Sequence, residues 1–337
     1  MPATLRDVAN LAQVSVRTVS NVVSGYEHVS ERMRQKVMRA IEELDYRPNP
    51  VARTLRTGRT GMLALVVPEI DVPYFSELAR DVIDAAAELG YRVMIDQTGH
   101  DHERERQLLL GDDRTMLFDG LLFSPLVTKS ELLDMHGTTS MPLVLLGEHE
   151  FDGRYDHVAI NNVQAAHDAV SHLVSLGRTR IAAIGTQPLE EYATPLQRTA
   201  GYEAALRDAG LEARPEHATP AAHYSRADGY AAASALLSTS PAPDAIFCFS
   251  DLLAVGALRA AFDSGFRVPD DVAVIGIDDI EEGRFTQPSL STVALDTPLI
   301  AREAVRRIVA RIDNPDTPAE EVVAEHRLVP RESTLGS

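Results

Sequence analysis

Residues 4–29 read TLRDVANLAQVSVRTVSNVVSGYEHV and parse as two short helices joined by a tight turn. Leu5, Val8, Ala9 and Ala12 recur at i, i+3, i+4 and i+7, the apolar stripe of an amphipathic helix. Thr4 ahead of the stripe and Asp7 three residues on form a capping box, each supplying an acceptor for an amide at the helix start. After Ala12 the pattern breaks, and Ser15 stands where a second helix needs its N-cap. In that helix Val19, Val22 and Val23 make the inward stripe, while Val16, Arg17, Ser20 and Asn21 fall on the opposite face. Two such helices and a short turn have the spacing of a helix-turn-helix, whose second helix enters the major groove of DNA. The stripes alone would also suit two small helices of any bundle. The cap, the turn and the uncovered polar face together favour the DNA-reading device.

Outward from this pair, Ser30 is the expected N-cap of a third helix with Met33, Val37, Ile41 and Leu44 on its buried side. A three-helix headpiece over residues 1–47 follows. Residues 48–59 read as a linker in which Asn49 can cap a helix, Pro50 suits its first turn and Gly58 its stop. A helix of about seven residues is marginal alone, because nucleation is costly. It is therefore expected to order only with a partner, as a hinge that leaves Leu55 exposed between Arg53 and Arg56.

From Gly61 the chain alternates apolar strands with amphipathic helices: MLALVV, RVMID, GLLF and PLVLL in a first series, RIAAIG, AIFCF and VAVIGI in a second. Alternation of this kind means parallel, doubly wound sheets, and two series mean two Rossmann-like lobes over residues 60–337. Lobe one is expected over residues 60–160 plus 292–319, and lobe two over 161–291 plus 320–337. The chain then crosses between lobes more than once. Ligands in open parallel sheets sit at the carboxyl ends of the strands, so a cleft between the lobes is the expected pocket.

Composition agrees with a binding protein. The 337 residues carry a net charge of −18, distributed unevenly: residues 1–60 hold ten Arg or Lys against six Asp or Glu, and the rest hold 22 against 44. A basic end on an acidic body presents only its N-terminus to phosphates. The single cysteine, Cys248, excludes an internal disulfide framework, and its place in the strand AIFCF suggests an inert thiol. No secretory leader and no apolar run of membrane-spanning length is visible, so a cytoplasmic, nucleoid-associated protein without a membrane partner is expected.

Signatures of catalysis are missing. There is no G-x-G-x-x-G after the first strand, no phosphate loop and no G-x-S-x-G elbow. His100, His102 and Glu103 read as solvated loop residues, lacking a second ligand pair at metal spacing. Glu148, His149 and Glu150 read as polar loop-end residues. No enzyme activity, metal or cofactor is expected.

Several motifs occur together, in order: TLRDVANLAQVSVRTVSNVVSG, HVSERMRQKV, LDYRPNPVARTLRTG, RTAGYEAAL, FCFSDLLAVGAL, VPDDVAVIGIDD and PSLSTVALD. In these the chain resembles the lactose-repressor and galactose-repressor family of bacterial transcription regulators, over nearly its whole length. The resemblance implies an all-α helix-turn-helix headpiece on an α/β core of the periplasmic-binding-protein-like type I. It further implies a homodimer on a near-palindromic DNA operator. Val16, Arg17 and Asn21 match base-reading positions; Arg suits guanine, Asn adenine and Val a thymine methyl. Thr4, Ser15, Thr18 and Ser20 accompany them at the DNA. Leu55 matches a hinge leucine that wedges into the minor groove, with Ala52 and Arg56 beside it. Gln13 stands where many members have glycine, which implies a left-handed backbone there.

For the effector cleft the resemblance implies Asn161, Arg198, Tyr224 and Asp278, with Tyr74, Phe75, Ser124, Tyr192, Thr194, Ser250 and Asp251 as neighbours. An aromatic platform ringed by Arg, Asp and Asn suits a polyhydroxylated sugar, and a purine also fits. The implied function is repression of carbohydrate-utilisation genes under a sugar effector. The alternatives are a purine- or nucleoside-responsive regulator, or a solute-binding protein without a DNA role. The chain ends without leucine heptads, so a dimer is expected rather than a tetramer.

Overall fold

The computed structural model of the chain describes residues 3–23, 26, 28–47, 58–99, 101–110, 117–125, 136, 141–147, 153–187 and 193–336. Of the expected hinge at residues 48–59, residues 48–57, with Ala52, Leu55 and Arg56, lie outside the described residues, as do His100, Glu148, His149, Glu150 and Tyr192. Two compact units are present, Met1–Thr60 and Gly61–Ser337.

In the first unit α1 (Leu5–Leu11), α2 (Val16–Val23) and α3 (Glu31–Glu43) enclose a small core of Val8, Ala9, Ala12, Val19, Val22, Val37, Ala40 and Tyr46. Gln13 takes φ 45° in the turn between α1 and α2, the left-handed backbone expected where glycine is usual. Two details differ from expectation. Val23 is exposed rather than inward, and Ser30 occupies the N-cap position of α3 without a side-chain hydrogen bond.

The second unit contains two six-stranded sheets. Lobe one is built on β1 (Met62–Val67), β2 (Arg92–Gln97), β3 (Gly120–Phe123), β4 (Leu143–Leu146) and β5 (Asp156–Ile160). Helices α4 (Pro73–Glu88) and α5 (His102–Leu110) lie between its first strands. Lobe two begins with α6 (Asn162–Ser175), then β6 (Ile181–Thr186), α7 (Ala193–Asp208), β7 (Ala218–Pro220), α8 (Arg226–Leu237) and β8 (Ala245–Cys248). It continues through α9 (Asp251–Asp263), β9 (Ala273–Asp278), α10 (Glu281–Phe285) and β10 (Ser291–Leu295). The long helix α11 (Thr297–Asp313), strands β11 (Glu321–Ala324) and β12 (His326–Val329), and α12 (Glu332–Leu335) complete the chain.

Strand order is β11-β5-β4-β3-β1-β2 in lobe one and β12-β10-β9-β8-β6-β7 in lobe two. All pairings are parallel except β10 with β12. The lobe-one core packs Leu78, Ala79 and Val82 of α4 and Ile300, Ala304 and Ile308 of α11 onto one sheet face. That makes α11 a lobe-one helix, as expected.

The chain passes between lobes three times: after Ile160, after Leu295 and at Glu325. Two of these differ from expectation. Strand β10 belongs to lobe two, so the second crossing comes at Asp296, the N-cap of α11, rather than near residue 292. The segment VVAEHRLV is divided: β11 pairs with β5 in lobe one, and β12 pairs with β10 in lobe two. What ties β11 to lobe one is charge. Buried Asp156 at the start of β5 accepts from Arg311 Nε at 2.8 Å and from the Glu320 amide at 3.1 Å, and Arg307 bonds Glu320. The same polar pair Asp156 and His157 hides β5 from a search for apolar runs, although all five of its residues are buried.

His102 and Glu103 also differ from their expected loop setting. They open α5, where Asp101 Oδ1 accepts from the Glu103 amide at 2.9 Å and Glu103 pairs with Arg106. Among the described residues, no helix is long and apolar enough to cross a membrane.

Candidate functional site

In the headpiece the capping box is formed as the sequence requires. The Asp7 amide donates to Thr4 Oγ1 at 3.3 Å, and Asp7 Oδ2 accepts from the Thr4 amide at 2.9 Å and its hydroxyl at 2.7 Å. Those two donors from Thr4 hold the Asp7 carboxyl below the usual carboxylate range. Ser15 caps α2: its Oγ accepts from the Thr18 amide at 3.0 Å and lies 2.8 Å from Thr18 Oγ1. With Val19 and Val22 turned into the core, Val16 and Arg17 are exposed at the N-terminal end of α2, and Ser20 and Asn21 are half-buried beside them. One face of a short helix therefore offers an apolar tip, a guanidinium, a hydroxyl and an amide. On the flank of α3 the cations Arg32, Lys36 and Arg39 line a cleft against Leu11 of α1, a positive strip that the apolar periodicity did not reveal.

The second unit holds a cavity of about 180 Å³ between its lobes. Its walls come from segments that follow strand carboxyl ends. Lobe one contributes Glu69 after β1, Tyr74 and Phe75 in the first turn of α4, Ser124 after β3, and Gly147 after β4. Lobe two contributes Gln187 after β6, Thr194 and Arg198 from α7, His223 and Tyr224 after β7, Ser250 before α9 and Asp278 at the end of β9. Parallel topology puts these loops on one rim of each sheet.

The polar groups are held by the lobe that carries them. Arg198 is 5% exposed; its Nε donates to Asn162 Oδ1 at 2.7 Å and its Nη1 to the Phe249 carbonyl. Nη2 is thereby left as the guanidinium nitrogen that a ligand can engage. Tyr224 donates its hydroxyl to the Gly185 carbonyl at 3.0 Å, which fixes the ring against the cavity wall. Ser250 caps α9 by accepting from the Leu253 amide at 3.3 Å. Across from them, Tyr74 and Phe75 stand edge to face with centroids 5.1 Å apart.

Of the residues expected in the cleft, Tyr74, Phe75, Ser124, Thr194, Arg198, Tyr224, Ser250 and Asp278 line this cavity together. Asn161 does not: it is exposed and caps α6, accepting from the Gln164 amide at 2.9 Å. Its neighbour Asn162, fully buried, is the asparagine that reaches Arg198. Asp251 is also outside the lining, completely buried beneath it. Sequence reasoning did not name Glu69, Gln187 and His223, and the signal for the first two was position, one or two residues past a strand end.

Cys248 is wholly buried, and desolvation pushes its thiol far up, as an inert core group requires. Among the described residues, no group of three or more His, Cys, Asp or Glu could hold a metal ion.

Comparison with known proteins covers both units. Residues 4–49 match the family described as bacterial regulatory proteins, lacI family, and residues 170–334 match the periplasmic binding protein-like domain. The ribose operon repressor of Haemophilus influenzae is 34% identical over 334 residues, 98% of each chain. The solved structure of the transcriptional regulator CelR with cellobiose is 33% identical with a TM-score of 0.72, covering 98% of this chain and 99% of that one. The lac repressor dimer bound to operator and the anti-inducer ONPF is 26% identical with a TM-score of 0.89, covering 99% and 100%. A helix-turn-helix headpiece, a two-lobed α/β core and full-length likeness to repressors lead to one conclusion: the chain belongs to the lacI family of bacterial regulatory proteins and is a DNA-binding transcription regulator.

Proposed function

We propose that this regulator represses carbohydrate-utilisation genes as a homodimer on a near-palindromic operator, and that a sugar in the interlobe cavity controls its grip on DNA. The observation that carries the reading is the pairing of fixed polar groups, Arg198, Ser250 and Asp278, with the aromatic wall of Tyr74 and Phe75. A sugar has both faces to match: hydroxyls for the forked donor and the carboxylate, and a C–H face for the rings. The names of the ribose operon repressor and the CelR–cellobiose complex support the ligand class.

On DNA, Arg17 and Asn21 read base edges and Val16 meets a thymine methyl, while Thr4, Ser15, Thr18 and Ser20 serve the backbone. Ala52, Leu55 and Arg56 act at the operator centre. The three chain crossings form the hinge between lobes. A ligand that prefers one degree of closure shifts the population of DNA-competent dimers by its difference in affinity for the two states.

Two measurements test this. Gel retardation on operator-like palindromes at low salt should show binding that weakens as salt rises. A thermal-shift panel of ribose, cellobiose, other sugars, adenine and guanine should show stabilisation by a sugar. Retardation of no palindrome overturns the regulator mechanism, and stabilisation by a purine alone overturns the sugar.

A further inference from the structure

Asp251, expected in the cavity, lies directly beneath its floor and is 0% exposed. Its Oδ2 accepts from the Ile280 amide at 3.0 Å, and its Oδ1 is 2.7 Å from Thr292 Oγ1. Thr292 Oγ1 accepts in turn from the Asp279 amide at 3.3 Å. One carboxyl and one hydroxyl thus hold the two amides that follow Asp278. The backbone they hold is one that side-chain-bearing residues avoid, with φ 125° at Asp278 and 59° at Asp279. Such a turn persists only where its surroundings over-determine it. Room for the carboxyl is provided by Gly276, where a Cβ would meet Asp251 Oδ1 at 2.1 Å.

Resting on the reading of the cavity as an effector site, we propose that Asp251 is a positioning residue for the effector. From beneath the floor it fixes the left-handed turn at Asp278 and Asp279, and so sets the direction in which Asp278 offers its carboxylate to the ligand.

The charged groups around Asp251 come from both strands that flank it. Asp278 and Asp279 approach from the end of β9, and the Cys248 thiol from β8. The cations nearby are spent on Asp279, which accepts from Arg331 Nη2 at 2.5 Å and Arg284 Nη2 at 3.0 Å. Burial, and after it repulsion by Asp278, push the Asp251 carboxyl well above the usual carboxylate range, against the pull of the Thr292 hydroxyl and the Ile280 amide. An acid whose folded value is raised costs stability as pH climbs past its unfolded value, because the unfolded chain releases the proton first. Asparagine keeps an oxygen acceptor for the Ile280 amide, requires the Thr292 hydroxyl to turn from donor to acceptor, and cannot ionise.

The test uses the full chain, its Asp251→Asn, Asp251→Ala and Thr292→Val variants, and two readouts. Without ligand, amide hydrogen exchange is followed at Ile280 and Asp279. With D-ribose and cellobiose as probes, affinity is followed by calorimetry from neutral to alkaline pH. Asp251→Ala should exchange the Ile280 amide about ten- to hundredfold faster and weaken sugar binding by a similar factor. Asp251→Asn, which keeps an acceptor for the Ile280 amide, should keep both within about threefold of wild type at every pH. Thr292→Val, a change of one hydroxyl, should speed exchange at Asp279 and decides the matter if Asp251→Ala does not fold. Wild-type exchange in Asp251→Ala and Thr292→Val overturns the proposal, as does Asp251→Asn behaving like Asp251→Ala. If wild type binds neither sugar, the ligand class proposed above falls, while the exchange readout still decides the role of Asp251.

Discussion

The two lobes share a strand plan and differ in what they bring to the cavity. Lobe two supplies tethered polar groups: buried Arg198 on Asn162 and Phe249, buried Ser250 on the Leu253 amide, and half-buried Asp278 on a turn clasped from below. Lobe one supplies the ring pair Tyr74 and Phe75, prolines at 68, 73 and 125, and Ile160, with Glu69 and Ser124 as its polar groups. The lobes also pack differently. In lobe two, α8 and α9 meet at backbone contact, with Gly256 against the Arg226 carbonyl and Gly229 against the Leu253 carbonyl. Lobe one's close glycine, Gly120, faces the side chain of Ile308 instead. The lobe whose helices meet at backbone contact carries the guanidinium and the carboxylate, while the other carries the ring pair together with Glu69 and Ser124.

The largest effect follows from that packing. A Cβ at Gly256 would stand 2.1 Å from the Arg226 oxygen, and backbone cannot step aside. Gly256→Ala should destabilise the protein by about 3 kcal/mol in denaturant titration, against about 1 kcal/mol for Gly120→Ala, where Ile308 can shift a rotamer. Equal losses would erase the distinction between the lobes.

Next comes Arg198 against Phe75. Removing Arg198 takes away a charged donor and the Nε–H that Asn162 Oδ1 accepts, so Arg198→Ala should weaken sugar binding about a hundredfold. Phe75→Ala removes apolar contact alone and should cost about tenfold. Calorimetry on both variants checks the order; a reversed order would make lobe one the source of specificity.

Most of the alternation of strands and helices was legible in the sequence, because buried parallel strands are continuous apolar runs such as MLALVV and VAVIGI. Strand β5 was not, since Asp156 and His157 break the run and their compensation comes from Arg307, Arg311 and Glu321, more than a hundred residues away. The division of VVAEHRLV between lobes follows from its pairing with β5 and β10, partners far away in sequence. In the cavity, positions after strand ends were readable in principle, whereas Asn161 and Asp251 were misplaced for a simple reason: adjacent residues on a helix start point in different directions, and one-residue precision needs the cap itself.

A smaller effect is a pH dependence of stability carried by two histidines of lobe two. Burial depresses the imidazoles of His172 and His217 below the ordinary range. A base whose folded value is lowered favours the fold while neutral, so its contribution is present above about pH 6.5 and declines as the unfolded chain takes up the proton below it. Denaturation midpoints should therefore fall from pH 7 towards acid, and His172→Gln should flatten that slope. A slope unchanged in His172→Gln and in His217→Gln alike would assign the acid sensitivity to carboxylates.

The least change is expected at Asn161, and it is the most discriminating because its neighbour should behave otherwise. Asn161 lies at the first crossing between lobes and its Oδ1 accepts from the Gln164 amide, so Asn161→Ala should lower stability by about 1 kcal/mol through the lost cap. Sugar affinity should stay within about twofold, since cap and cavity share no side-chain contact. Asn162→Ala, one residue on, frees Arg198 Nε and should weaken the sugar about tenfold, because a forked donor that swivels loses its alignment. If Asn161→Ala weakened binding as much as Asn162→Ala, the crossing itself would be part of the recognition surface. Specificity would then belong to the joint between the lobes rather than to the rigid groups of one of them.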